Sequence, residues 1–229
     1  MAERPVFLPG TTGGRLVLTK TVQFTWHAGM SKAQKRKSIR SLHEAAKQQL
    51  GVDKLLEISS KSEEALGVKL SAFNLVLKTR SGTKAVVEAI YQGSKVFALG
   101  GPFRDIFSKS SWEAKKDTRL QTSGKLLKFS FGDAEWPLDP PRMFYDWLYL
   151  SALYQNRELG GRVLEYEAFT DIEFNPKKSV SCQAASAALF KALFERGLLD
   201  KIMASKEEFS KTYQEYFGEK GPVQLGLYG

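Results

Sequence analysis

Glu88 and Lys95 are a carboxylate and an amine seven residues apart in the run Val87-Glu88-Ala89-Ile90-Tyr91-Gln92-Gly93-Ser94-Lys95. Seven residues make about two helical turns, so an amphipathic helix over this run puts both on one face. Apolar residues flank them, with Ala85-Val86-Val87 around the first and Val96-Phe97 after the second. An acid and an amine on one side of a half-buried helix can shape a catalytic pocket, the ammonium favouring the charged carboxylate. The same two residues can equally be a structural ion pair, and the pair alone does not separate the two.

Other chemistries find little support. Cys182, His27 and His43 are the only residues of their types, with no zinc-ligand spacing, and no internal disulfide can form. No G-x-S-x-G, G-x-G-x-x-G or P-loop is present; Gly124-Lys125 lacks the earlier glycine a P-loop needs. No metal and no cofactor is therefore expected. Phosphate recognition would fall to basic side chains and helix ends.

Charge points to a polyanionic partner. Thirty-four Lys and Arg face 25 Asp and Glu, a net +9, and the pI is near 9.5. Residues 1–50 hold nine basic residues (Arg4, Arg15, Lys20, Lys32, Lys35, Arg36, Lys37, Arg40, Lys47) against Glu3 and Glu44, a local +7. Such a face attracts phosphate backbones without reading sequence, although a solvated basic helix is the plain alternative. No apolar run of about 18 residues offers a membrane span. The opening Met1-Ala2-Glu3-Arg4-Pro5 lacks an apolar signal core, and with a single cysteine a cytoplasmic location is expected.

The elements that must position these residues follow from pattern. Residues 1–15, broken by Pro5, Pro9 and glycines, read as an irregular lead-in. Val22, Phe24 and Trp26 alternate with polar residues as a half-buried strand. Ser31 caps a helix that runs to Leu50 and stops at Gly51, burying Ile39, Leu42 and Ala46 and presenting Lys32, Lys35, Arg36 and Arg40. Lys54 to Ser60 and Val68 to Leu77 read as strands, followed by the Glu88–Lys95 helix and a Gly100-Gly101-Pro102 loop that permits close backbone approach. A basic helix start carries Lys115, Lys116 and Arg119. Arg142 to Asn156 is an aromatic helix, more plausible as core than as a stacking platform. A short helix from Glu158, a loop over Phe169 to Asn175, a helix from Ser179 to Arg196 and a last helix from Lys206 to Phe217 complete the chain.

Several of these pieces, in order, resemble the NADAR family, whose known members cleave N-glycosidic bonds of nucleotide-like substrates. The family's Ser-Asn-Phe-like element is matched by Leu70-Ser71-Ala72-Phe73-Asn74, and its Glu-bearing helix by Glu88, Tyr91, Gln92 and Lys95. Its basic stretch is matched by Ala114-Lys115-Lys116, its Gln-Asn-x-Glu-Leu by Gln155-Asn156-Arg157-Glu158-Leu159, and its late Asp by Asp171. The likeness extends to the branch that accompanies DarT-type toxins, through Arg4-Pro5-Val6-Phe7 and Lys37-Ser38-Ile39-Arg40-Ser41-Leu42-His43-Glu44. One departure stands out: the broader family follows its late Asp with Trp-Gly, whereas Ile172-Glu173-Phe174-Asn175-Pro176 follows Asp171.

The resemblance implies an α+β, helix-rich single domain with a few short strands, in which residues 1–54 are a basic amino-terminal segment packed on a catalytic domain of residues 55–229. It implies an antitoxin that removes ADP-ribose from ADP-ribosylated DNA bases, guanine in particular. Excision of a bulky modified base from phage DNA, leaving an abasic site, is the alternative, and a non-catalytic nucleic-acid binding module the third reading. N-glycosidic cleavage passes through an oxocarbenium-like ribose, which a carboxylate stabilises. Glu88, Lys95 and Asp171 are the catalytic candidates; Phe73, Asn74, Tyr91, Gly100, Gly101 and Asn156 would hold the substrate. Lys32, Lys35, Arg36, Arg40, Lys115, Lys116 and Arg119 would hold the nucleic acid. The expected partners are DNA, single-stranded or with its base flipped, and a DarT-type toxin by genetic linkage, with no membrane.

Overall fold

The computed structural model describes residues 1–177 and 179–217; the end of the expected 55–229 range lies outside them. The chain divides into two compact units, Met1–Ser71 with Arg157–Gly229, and Ala72–Asn156. The architecture is α+β with short strands, as expected.

The first unit opens with β1 (Ala2–Pro9), β2 (Val17–Phe24), α1 (Lys32–Leu50), β3 (Leu55–Glu57) and α2 (Ala65–Leu70). The chain then enters the second unit, with β4 (Val76–Lys78), β5 (Lys84–Val86), α3 (Val87–Gly93), β6 (Lys95–Phe97), a 3-10 turn (Arg104–Ser108), α4 (Ser111–Lys115), α5 (Arg119–Thr122), β7 (Leu126–Phe131), β8 (Ala134–Trp136) and α6 (Met143–Gln155). It returns to the first with α7 (Arg157–Val163), β9 (Ala168–Thr170), α8 (Gln183–Glu195), α9 (Leu199–Met203) and α10 (Lys206–Phe217).

In the first unit a four-stranded sheet runs β2-β1-β9-β3. β1 and β2 are antiparallel from Ala2↔Phe24 to Pro9↔Val17, and β3 lies parallel to β9. The lead-in expected to be irregular is therefore mostly β1. Its prolines are tolerated because the ladder on the far side of β1 is a single pair, Phe7↔Phe169, so few donors are missed. α1 covers the sheet with Ile39, Leu42 and Ala46, in one cluster with Val6, Val22, Phe24 and Ile172. Ser31 caps it by accepting from Gln34 N, and Gly51 ends it at φ 67°. The alanines of α8 are buried, which lets that helix lie close on β1 and β9.

Three expected elements change. The strand expected over Val68–Leu77 begins as the end of a helix: Leu66 and Leu70 recur at i, i+4 and bury one side of α2. β4 begins only at Val76 and pairs with β5. The loop expected over Phe169–Asn175 contains the end of β9, and the strand expected over Lys54–Ser60 shortens to three residues.

In the second unit, β6, β7 and β8 form an antiparallel sheet. The aromatic helix α6 is core: Phe144 lies 4.8 Å from Phe129 and 5.5 Å from Trp136, ring to ring. The expected helix over Val87–Lys95 stops at Gly93, and Lys95 opens β6 instead, opposite Phe129. A Cβ at Gly93 would stand 2.8 Å from Phe103 O and 2.7 Å from the Phe107 ring, so the helix end is closely covered by the 3-10 turn. Among the described residues, no helix is long and apolar enough to cross a membrane.

Candidate active site

Glu88 sits in the first turn of α3, whose entry is held by Val87 N donating to Leu75 O at 2.9 Å and Glu88 N to Ala72 O at 3.0 Å. Its side chain is buried, 7% exposed. One turn on, the Gln92 amide donates through Nε2 to Glu88 Oε1 at 2.9 Å, and its oxygen accepts from Lys95 Nζ at 2.6 Å. Gln92 follows Glu88 by one turn of α3, and Lys95 reaches the amide from the first residue of β6. Acid and amine are thus joined as ammonium, amide and carboxylate rather than by direct contact.

Burial pulls the Lys95 amine below the ordinary lysine range; Glu88 opposes that shift and Lys115 adds to it. The ammonium also stands 5.2 Å above the Tyr91 ring, which is held by Phe129 and Tyr145, each 5.2 Å away. Gly101 explains the glycine pair: its φ is 91°, and a Cβ there would come within 2.3 Å of Lys95 O. The Gly100–Gly101 loop therefore lies directly on the backbone of Lys95, and Gly100 O accepts from Phe97 N at 2.7 Å. Phe73 is half-buried and Asn74 exposed at the α3 entry. Ser111 Oγ donates to Phe73 O at 2.8 Å, and Lys115 Nζ lies 5.5 Å from the Phe73 ring. The second unit thus brings together Glu88, Lys95, Tyr91, Phe73, Lys115 and the Gly100–Gly101 loop. Asn156 lies exposed past the end of α6, next to Gln155, whose amide clamps both backbone groups of Lys78.

Asp171 belongs to the other unit and has its own network. It is buried, 7% exposed, and its carboxyl is pushed up to about 8, first by burial and then by Glu57. Glu57, 2% exposed, is also raised by burial. It accepts from Thr170 Oγ1 at 2.6 Å and from Ile172 N at 2.9 Å. Thr170 Oγ1 lies 2.9 Å from His43 Nε2, and burial lowers that imidazole to about 4. The stretch that departs from the family pattern is packing: Ile172 joins the sheet core, Phe174 meets Phe7 edge-on at 6.2 Å, and Glu173 pairs with Lys35 at 3.2 Å.

The candidate nucleic-acid cations fall into two groups. Lys32, Lys115 and Lys116 project as exposed amines. The others already have oxygen partners: Lys35 the Glu173 carboxylate, Arg36 the carbonyls of Lys61 and Ser62, and Arg40 both oxygens of Glu63. Arg119 is bound by Asp105 and Asp117 and stacked on Phe103.

Sequence reasoning gave no role to Gln92 as the bridge, although it stands in the motif, nor to Glu57. A carboxylate between Leu56 and Ile58 was the available signal for the latter. Comparison with curated proteins returns no match. The family model of the DarT1-associated NADAR antitoxin matches residues 2–221, nearly the whole length, and the chain belongs to that family.

Proposed function

We propose that this protein is an N-glycosidase that removes ADP-ribose from ADP-ribosylated DNA bases, guanine being the expected base, and so reverses the modification made by a DarT1 toxin. The observation that carries the reading is the buried chain Glu88–Gln92–Lys95. It holds a buried carboxyl group with one oxygen engaged by the amide.

Glycosidic cleavage breaks the bond between the ribose anomeric carbon and the base nitrogen, leaving positive charge on the ribose. Glu88 stabilises that charge and takes a proton from the attacking water; the base leaves with the electron pair and acquires a proton. Lys95 anchors the amide that positions Glu88 and offers its ammonium to a diphosphate or to the leaving base. Tyr91 and Phe73 supply faces for stacking, and Asn74 hydrogen bonds for ribose hydroxyls. A carboxyl that keeps its proton near neutrality does not stabilise a cation by charge, so Asp171 enters the proposal as a proton-holding acid, tested separately by Asp171→Asn. Exposed lysines supply non-specific attraction to the phosphate backbone.

The test is incubation with ADP-ribosylated single-stranded DNA. Free ADP-ribose and an intact, unmodified strand are expected. Alkali-labile abasic sites would instead identify a base-excising glycosylase, and salt-sensitive binding without product a non-catalytic module.

A further inference from the structure

Trp112 takes no part in the proposed reaction, yet it is 63% exposed on an ordered helix. α4 is pinned by a capping box in which Ser110 Oγ accepts from Glu113 N and the Glu113 carboxylate accepts from Ser110 N. Glu113 is the sole acid of the helix, and its Oε2 is engaged at that cap, 3.0 Å from Ser110 N and 2.6 Å from Ser110 Oγ. Besides the capping carboxylate of Glu113, the helix and its C-cap residue Lys116 present outward an indole and two ammoniums. Lys116 Nζ lies 3.4 Å from the Trp112 ring centroid, and Lys115 Nζ lies over the Phe73 ring. Contacts inside the same unit lead from this surface to the candidate carboxylate: Ser111 Oγ to Phe73 O, and Ala72 O to Glu88 N.

We propose that Trp112 is a stacking platform for a base of single-stranded DNA next to the modified nucleotide, with Lys115 and Lys116 meeting the flanking phosphates. Every base has a π-face, so an exposed indole binds a strand without reading its sequence. The cation on the ring makes the platform electropositive and sets a phosphate partner beside it. A protein partner would more readily bury such a ring among apolar neighbours; the immediate neighbours here are amines, which complement a polyanion. A duplex keeps its bases stacked on one another and offers no free face, so the surface selects a single strand. This inference rests on the reading of Glu88 as the centre of a DNA-directed site and adds the residue that holds the strand there.

The experiment measures binding of a fluorescently labelled, unmodified single-stranded deoxyoligonucleotide to the wild-type protein, Trp112→Ala, Trp112→Phe and Lys116→Ala. Trp112→Ala should weaken binding roughly tenfold while Trp112→Phe keeps most of it. Lys116→Ala should lower the slope of log affinity against log salt by about one. Thermal melts should coincide, because the indole is largely in water. In the turnover assay Trp112→Ala should raise KM for an ADP-ribosylated oligonucleotide and leave an ADP-ribosylated mononucleotide unaffected. Unchanged oligonucleotide affinity in Trp112→Ala, or equal competition by a duplex, overturns the inference even if wild-type turnover is normal. Failure of wild-type turnover with Trp112-dependent binding intact overturns the enzymatic reading and leaves the strand-binding surface standing.

Discussion

Lys95 Nζ lies 2.6 Å from the side-chain oxygen of Gln92, so the amine addresses the Glu88 carboxylate through an amide. The arrangement fixes the amide's orientation: the nitrogen end donates and faces the carboxyl oxygen, and the oxygen end accepts and faces the amine. Both ends of the chain are tied to one neutral residue, and that residue becomes the most informative one to change after Glu88 itself.

Removing the charge of Glu88 tests the catalytic assignment. Glu88→Gln keeps the shape and should lower kcat on ADP-ribosylated DNA by about 10²- to 10⁴-fold, the range for loss of a general base. Circular dichroism should match wild type. Undiminished turnover would remove Glu88 from the mechanism.

Gln92→Leu should cost both activity and stability, because it leaves a buried carboxylate and a half-buried amine without their shared partner. A loss of about 1–3 kcal/mol on chemical denaturation is expected, with kcat falling as well. Gln92→Asn keeps the amide but shortens its reach, and should recover less activity than stability. Wild-type kcat in Gln92→Leu would mean that the bridge does not position Glu88.

Gly101→Ala should disturb the site through the backbone. The φ of 91° disfavours any side chain, and the new Cβ would fall 2.3 Å from Lys95 O, so the loop or β6 must move. Destabilisation of order 1–3 kcal/mol is expected, and the decisive readout is a drop in kcat larger than that of Gly132→Ala, where a Cβ meets nothing within 4 Å at a φ of 60°. Equal effects of the two substitutions would reduce the Gly101 contact to ordinary turn strain.

The buried network of the first unit predicts a pH signature. Asp171 is raised to about 8, so folding binds a proton that the unfolded chain has released, and its contribution to stability is lost as pH rises from about 4 through 8. Glu57, also raised, acts in the same sense. His43, lowered to about 4, acts oppositely: its contribution is present above the ordinary histidine range and lost as pH falls through 4. Between about 4 and 6.5 the two slopes oppose each other; from about 6.5 to 8 the Asp171 slope is unopposed by His43. Melting temperature should therefore decline from pH 6.5 to 8, and Asp171→Asn should flatten that decline. A variant that keeps the full slope would show that another group titrates there.

Much of the local structure was legible. Ser31 and Gly51 bound α1 because caps act on their own turn. The aromatic run of α6 is core, as its density suggested, with Phe144 and Tyr149 almost wholly buried. The family was legible from five short motifs in order, and its model covers the chain. What failed to show locally was set by distant partners. The prolines of β1 argued against a strand until pairing left its far side nearly free. The basic surface looked larger than it is, because Arg40 and Lys35 meet Glu63 and Glu173, far away in sequence.

The run from Glu88 to Lys95 shows the same division. By itself the sequence determined that a carboxylate, an amide and an amine occur together between apolar segments, because residue type and spacing are local properties. It also determined a positive charge suited to a phosphate backbone. Only the tertiary structure decided that the helix ends at Gly93, where the 3-10 turn covers it, and that Lys95 pairs with β7 and turns back onto Gln92. Helical periodicity already sets acid, amide and amine on one stripe at i, i+4 and i+7. Strand pairing, a long-range interaction absent from the local pattern, fixed the backbone from which Lys95 reaches the amide.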